Sequence, residues 1–123
     1  MSGDEIVLQL PRERPFFGVA HLVLGGLAVR LDLNFDQLED VQVALAELLE
    51  QREDGRDITL SVAVESDVIR ASIGPFDETL AKDLARDGGP VGLRRVLDTV
   101  VDSVELTDRD GQPWVVLTKA VRR

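Results

Sequence analysis

Glu47 and Gln51 stand one helical turn apart in "VQVALAELLEQRED", residues 41–54. The first carries a carboxylate that can accept a proton. The second carries an amide oxygen that can ligate a hard cation. Such a pair is either a solvated helix edge or part of a site, and the two residues by themselves leave both readings open. The remaining chemistry is sparse. His21 is the only histidine, so no histidine pair exists for metal or relay work, and its apolar neighbours make a core or helix-end position the ordinary reading. There is no cysteine, which excludes disulfides, zinc–thiolate sites and thiol catalysis. "RDGGPVG", residues 86–92, brings glycines to a helix start, where backbone N–H groups can gather an anion. Arg94-Arg95 and Arg122-Arg123 are basic pairs that either touch a phosphate or acidic partner or face solvent.

The elements that must position these groups are legible from periodicity. The chain has 123 residues and 44% hydrophobic composition, which suits a single domain, residues 1–123, around one core. "EIVLQLP" (5–11) alternates and stops at Pro11, the mark of a short strand. Pro15 to Leu31 has Phe16, Val19, Ala20, Val23, Leu27 and Arg30 at helical spacing and few polar residues, which predicts a largely buried helix. Gly25-Gly26 inside it costs helix stability, on the order of 1 kcal/mol each against Ala, and suits close packing within the chain or in a dimer.

A second helix follows, capped by Asn34 with Asp36 near its positive end; Leu38, Val41, Leu45 and Leu48 form its apolar stripe, widened by Ala44 and Leu49. Residues 57–66 and 67–76 alternate and read as an antiparallel hairpin. "FDETLAKDLARDGGP" is a short helix opened by Asp77 and closed by Gly88-Gly89, and "VGLRRVLDTVVDSV" is another. Strands at 103–108 and 113–119 form a terminal hairpin about Asp110-Gly111, with Trp114 expected in the core. The order β-α-α-β-β-α-α-β-β predicts an α+β two-layer sandwich, with helices covering one face of a mixed, mainly antiparallel sheet.

Net charge is −9, from 23 acidic and 14 basic residues, so nucleic-acid phosphates are poor partners. No apolar run approaches the roughly 20 residues needed to span a bilayer. The opening "MSGDEIVLQLP" lacks the basic and long apolar segments of a signal peptide, and a soluble cytoplasmic protein is expected.

With these motifs in this order, the chain resembles the anti-sigma factor serine/threonine kinases, a branch of the histidine-kinase-like (GHKL, Bergerat-fold) ATPases. The resemblance covers almost the whole chain. It rests on "IVLQLP", on "AHLVLGGLAVRLDL", and on "EDVQVALAELLEQ", which sets Asp40, Ala44, Glu47 and Gln51 at the places of the family's D-(I/L/V)-x-x-A-x-x-E-x-x-x-N. "SIGPFD", Ser72 to Asp77, stands at the Asp-x-Gly-x-Gly-Phe-Asp loop, followed by Gly92-Leu93 and "VVDSVE". The resemblance implies Glu47 as general base, position 51 as the magnesium ligand, position 72 as acceptor of the adenine amino group, and Gly74 and Gly92 as nucleotide-loop glycines.

The departures bear on chemistry. Gln51 replaces the family's asparagine and displaces the amide oxygen by a methylene, against the near-ideal octahedron Mg²⁺ demands. Ser72 replaces the aspartate and weakens recognition of the amine. One loop glycine is missing, and the lid is reduced to "RDGGPVG". The leading expectation is therefore an anti-sigma-factor-like regulatory protein that binds a sigma factor or an anti-sigma-factor antagonist, with ATP binding lost. The alternatives are an active ATP- and Mg-dependent serine/threonine kinase using Glu47, and a structural or oligomer-forming protein. A homodimer is compatible with each.

Overall fold

A computed structural model describes residues 5–10, 22–26, 29, 35–49, 57–65, 67–85 and 93–120. Five strands form one sheet: β1 (Glu5–Leu10), β2 (Ile58–Glu65), β3 (Val68–Gly74), β4 (Ser103–Arg109) and β5 (Gln112–Ala120). Their spatial order is β1-β2-β3-β5-β4, and every neighbouring pair is antiparallel. The sheet is thus antiparallel throughout rather than mixed. Each strand reaches its neighbour without a parallel crossover, because β1 lies beside β2 and the last hairpin returns to pair with β3.

Helical residues 22–26 are α1; α2 is Phe35–Leu49, α3 Glu78–Ala85 and α4 Leu93–Val100. The chain order is the one expected. Among the described residues, no helix is long and apolar enough to cross a membrane.

Alternation gives the sheet two unlike faces. Ile58, Leu60, Val62 and Val64 of β2, with Ile69, Ala71 and Ile73 of β3, project to one side and are buried. Val104 of β4 and Val115 and Leu117 of β5 join them. The helices close over this inner face. Val41, Ala44, Leu45 and Leu48 of α2 enter the same core with Leu84 of α3 and Leu97 of α4. The predicted stripe of α2 is borne out at those four positions; the side chains of Leu38 and Leu49 lie outside the described set. The outer face carries small polar residues and long charged ones, among them Ser61, Arg70 and Thr118.

The first helix departs from expectation. Leu24 is buried, but Leu22 is 78% exposed and Val29 85% exposed, on a face that also exposes Gly26. Over its described residues, 22–26 and 29, the segment is half exposed rather than largely buried. A Cβ built on Gly25 or Gly26 meets no described atom within 4 Å, so close packing inside the described chain does not explain the pair. Phe16, Val19, Ala20 and His21 lie outside the described residues, as do Asn34 and the Gly88-Gly89 stop.

Local signals are met where turns require them. Asp110 and Gly111 have φ of 55° and 80°, the positive values a two-residue type I′ turn demands. Asp108 accepts a hydrogen bond from the Gly111 N–H at 2.9 Å and fixes the turn. Asp67 takes φ 62° between β2 and β3; aspartate tolerates that region better than most residues. α3 opens where expected, with the Asp77 carbonyl accepting from the Ala81 N–H at 3.3 Å.

One ion pair ties the layers together. Lys119 Nζ at the end of β5 lies 3.1 Å from the Asp40 carboxylate on α2. Lys119 is largely buried and Asp40 nearly half exposed, so solvent screens part of the attraction. A double-mutant cycle in urea with Lys119→Met and Asp40→Asn is expected to give a coupling of about 0.5–1 kcal/mol. A coupling near zero would show that the contact is incidental.

Candidate functional site

α2 positions Glu47 through its own packing. With Ala44 and Leu48 pinned in the core, helical geometry sets Glu47 at the rim of the buried stripe. The side chain is half-buried and engaged in an interaction. That places it at the edge of the apolar stripe. Gln51 and Gly92 lie outside the described residues, as does the anion-binding stretch 86–92; of Leu93 only the backbone is described. Among the described residues no group of three or more acidic, histidine or cysteine side chains is placed to hold a metal ion.

The β3 loop corrects the assignment of Ser72. Its register partners are Ser61 on β2 and Val116 on β5, all on the outer face. Glu47 rides on α2, on the inner face. The two residues therefore lie on opposite faces of the sheet. Strand parity is the reason, since a one-residue shift carries a side chain to the opposite face. Anchoring the family loop on Phe76-Asp77 without a gap moves its aspartate place from Ser72 to Ala71. Ala71 does face the helices, between Val62 and Leu117, and is completely buried. Ile73 and Pro75 then occupy the glycine places. The alternation of Ile69, Ala71 and Ile73 carried this signal in the sequence.

Gly74 has a local explanation. A Cβ there would lie 2.6 Å from Cδ2 of Trp114 and 2.7 Å from its Cγ. The indole lies flush against the glycine on the outer face, half-buried, with the Arg109 guanidinium 4.4 Å from its ring centroid. The core position expected for Trp114 from its neighbours Val115 and Val116 is therefore not found; strand alternation sends it outward. Phe76, immediately after the loop, returns to the inner side and joins the core, its N–H bonded to the Pro113 carbonyl at 2.8 Å.

Arg94 is engaged rather than free. It pairs with Asp98 at 3.2 Å, one turn along α4, and donates from Nη1 to the Leu84 carbonyl of α3 at 3.1 Å. That carbonyl belongs to the last turn of α3, where helix carbonyls lack internal partners. The guanidinium therefore holds together the two helices that flank the lid segment. Arg95 is exposed, with its carbonyl accepting from Thr99 Oγ1.

The antiparallel sheet with helices on one face, a half-buried glutamate on α2 and a glycine-bearing loop after β3 make up an α+β domain. The RsbU and RsbW domains of Rv1364c from Mycobacterium tuberculosis superpose with a TM-score of 0.71 at 15% identity, covering 98% of this chain and 33% of that one. No family profile matches the sequence. Full-length relatives do. The serine-protein kinase RsbW of Halalkalibacterium halodurans is 27% identical over 98% of this chain and 85% of its own. That of Listeria monocytogenes serovar 1/2a is 28% identical over 96% and 88%. Over nearly its whole length the chain is therefore similar to the RsbW-type anti-sigma factor serine kinases, and it shares the fold of the RsbW domain.

Proposed function

We propose that this chain is a regulatory binding protein of the anti-sigma-factor type that has lost ATP binding and acts in the cytoplasm by sequestering a sigma factor or an anti-sigma-factor antagonist. The observation that carries the loss is the inner side of the β3 loop. Ala71 and Ile73, at the aspartate and first glycine places, are both fully buried, and Phe76 packs into the same core. An apolar surface there offers no acceptor to an adenine amine. The altered ligand position, Gln51, points the same way. So does length. The comparison with the Halalkalibacterium protein runs over 141 positions and takes in 98% of this chain's 123 residues, or about 121, which leaves about 20 positions of the relative without a counterpart. The shortened lid "RDGGPVG" accords with that deficit.

A second reading is an active ATP- and Mg-dependent serine/threonine kinase with Glu47 as base. It is favoured by the activity in the relatives' names and by Glu47 standing at the rim of the core. A sheet without a helical layer would have favoured a structural or oligomer-forming protein; α2 to α4 form such a layer.

Calorimetric titration with ATP and Mg²⁺ separates the first two. No measurable heat is expected below about millimolar nucleotide. Micromolar binding that disappears in Glu47→Ala would overturn the proposal in favour of the kinase. Co-purification is expected to recover a sigma factor or an antagonist protein, and recovery of neither would remove the regulatory role.

A further inference from the structure

The outer face of the sheet, opposite Glu47, contains a concavity of about 590 Å³. It is lined by the small residues Ser61, Ala63, Ser72 and Thr118, by Val68, and by the long side chains of Glu5, Glu65, Arg70 and Arg109. Three features distinguish it from an ordinary solvated sheet face.

First, Ser72 is the one buried polar side chain among the described residues, at 7% exposure, and it opens into this groove. Its hydroxyl has no hydrogen-bond partner among the described residues, whereas the neighbouring Ser61 hydroxyl is used, donating to Glu5 at 3.0 Å. The hydroxyl opens into the groove, where it can donate to a ligand as readily as to water.

Second, Glu65 and Arg70 line the same groove from adjacent strands yet form no ion pair with each other or with another described residue. Opposite charges that share a concavity without neutralising one another present a positive and a negative pole to whatever enters. Third, Arg109 stacks over the Trp114 ring, so a second guanidinium stands at the rim with no acidic partner among the described residues. Preorganised donors lose less entropy on binding than free ones.

We propose that this groove binds a small zwitterion of the amino-acid or short-peptide class. Its carboxylate sits on Arg70 and the Ser72 hydroxyl, with Arg109 beside it, and its ammonium group faces Glu65. A pure anion leaves Glu65 and Glu5 repelling it, and a pure cation leaves two guanidinium groups unpaired. A second copy of the chain fits poorly, because two concave faces with small-residue floors would enclose a void. The volume is within the range of small-molecule sites, about 300–1,000 Å³.

The test is an amide NMR titration of the full chain with triglycine, which carries both charges and no side chain. Saturable shifts in the millimolar range or tighter are expected at Ser61, Arg70, Ser72 and Thr118. Arg70→Ala and Glu65→Gln lie on the exposed face and leave the fold intact, which the spectrum itself reports. Each is expected to weaken binding about tenfold. N-acetylated, amidated triglycine is expected to leave the four resonances unmoved. The proposal is overturned by no shift with triglycine, by equal shifts with the capped peptide, or by inorganic phosphate acting as strongly. The same resonances moving with protein concentration alone would assign the face to a second copy instead. ATP binding plays no part in this assay, so its outcome is independent of the kinase question.

Discussion

Ala71→Asp, the substitution that restores an aspartate at the ungapped family position, is expected to destabilise the protein by about 3–5 kcal/mol and to confer no ATP binding. The expectation rests on what surrounds residue 71. It lies on a central strand, with Val62 beside it on β2 and Leu117 on β5, and none of its surface is exposed. A carboxylate introduced there has apolar neighbours on both flanking strands. It must either lose its charge or draw water into the core. Against a total stability of about 5–15 kcal/mol, such a loss takes a large fraction of the folded margin. In an open nucleotide pocket the same residue would be solvated. The substitution would then cost about 1 kcal/mol, and calorimetry would detect nucleotide. Urea denaturation measures the first quantity, with an unchanged slope showing that the native state remains compact. A tolerated Ala71→Asp that gains micromolar ATP affinity, alone or with Gln51→Asn, would show that the site is merely mutated and not filled.

The contrast between residues 71 and 72 also shows where the sequence stopped being informative. Element order was readable because each element has its own period. The alternation of β2 and the stripe of α2 place Ile58, Leu60, Val41 and Leu45 inward without any knowledge of neighbours. The Asp110-Gly111 turn was readable because few dipeptides accept positive φ at both positions. The loop was harder. Allowing one gap aligned Ser72 with the aspartate on chemical similarity, while strand parity required Ala71. Parity is the stronger constraint, because a polar residue on the wrong face cannot reach the ligand however apt its chemistry. Trp114 was misplaced for a related reason. Its apolar character suggested the core, yet its neighbour Val115 takes the inward place and alternation leaves the indole outside. The outer groove was not legible at all. Glu65, Arg70 and Arg109 come from three strands, and only the register β2-β3-β5-β4 brings them around one concavity.

Gly74→Ala is expected to cost about 2–3 kcal/mol, and the loss should be relieved by shortening Trp114. The glycine needs no special backbone: among the described glycines only Gly111 has positive φ. What it needs is room. An added methyl would sit 2.6 Å from the indole, well inside van der Waals contact. The ring is not free to retreat, since Thr107 lies beside it on β4 and Arg109 stacks over it. Either the indole leaves its place and gives up the Arg109 contact, or β3 and β5 move apart and strain the sheet. A double-mutant cycle distinguishes this from a role in a nucleotide loop. Trp114→Leu alone loses the ring's contacts, but Gly74→Ala added to that background should cost less than about 1 kcal/mol, for a coupling of about 1–2 kcal/mol. If Gly74 instead served bound nucleotide, Gly74→Ala would leave urea stability nearly unchanged in both backgrounds and would change only ATP affinity. Additive losses with no coupling would exclude the steric account. The glycine most reminiscent of the catalytic family would then require another explanation than the tryptophan lying against it.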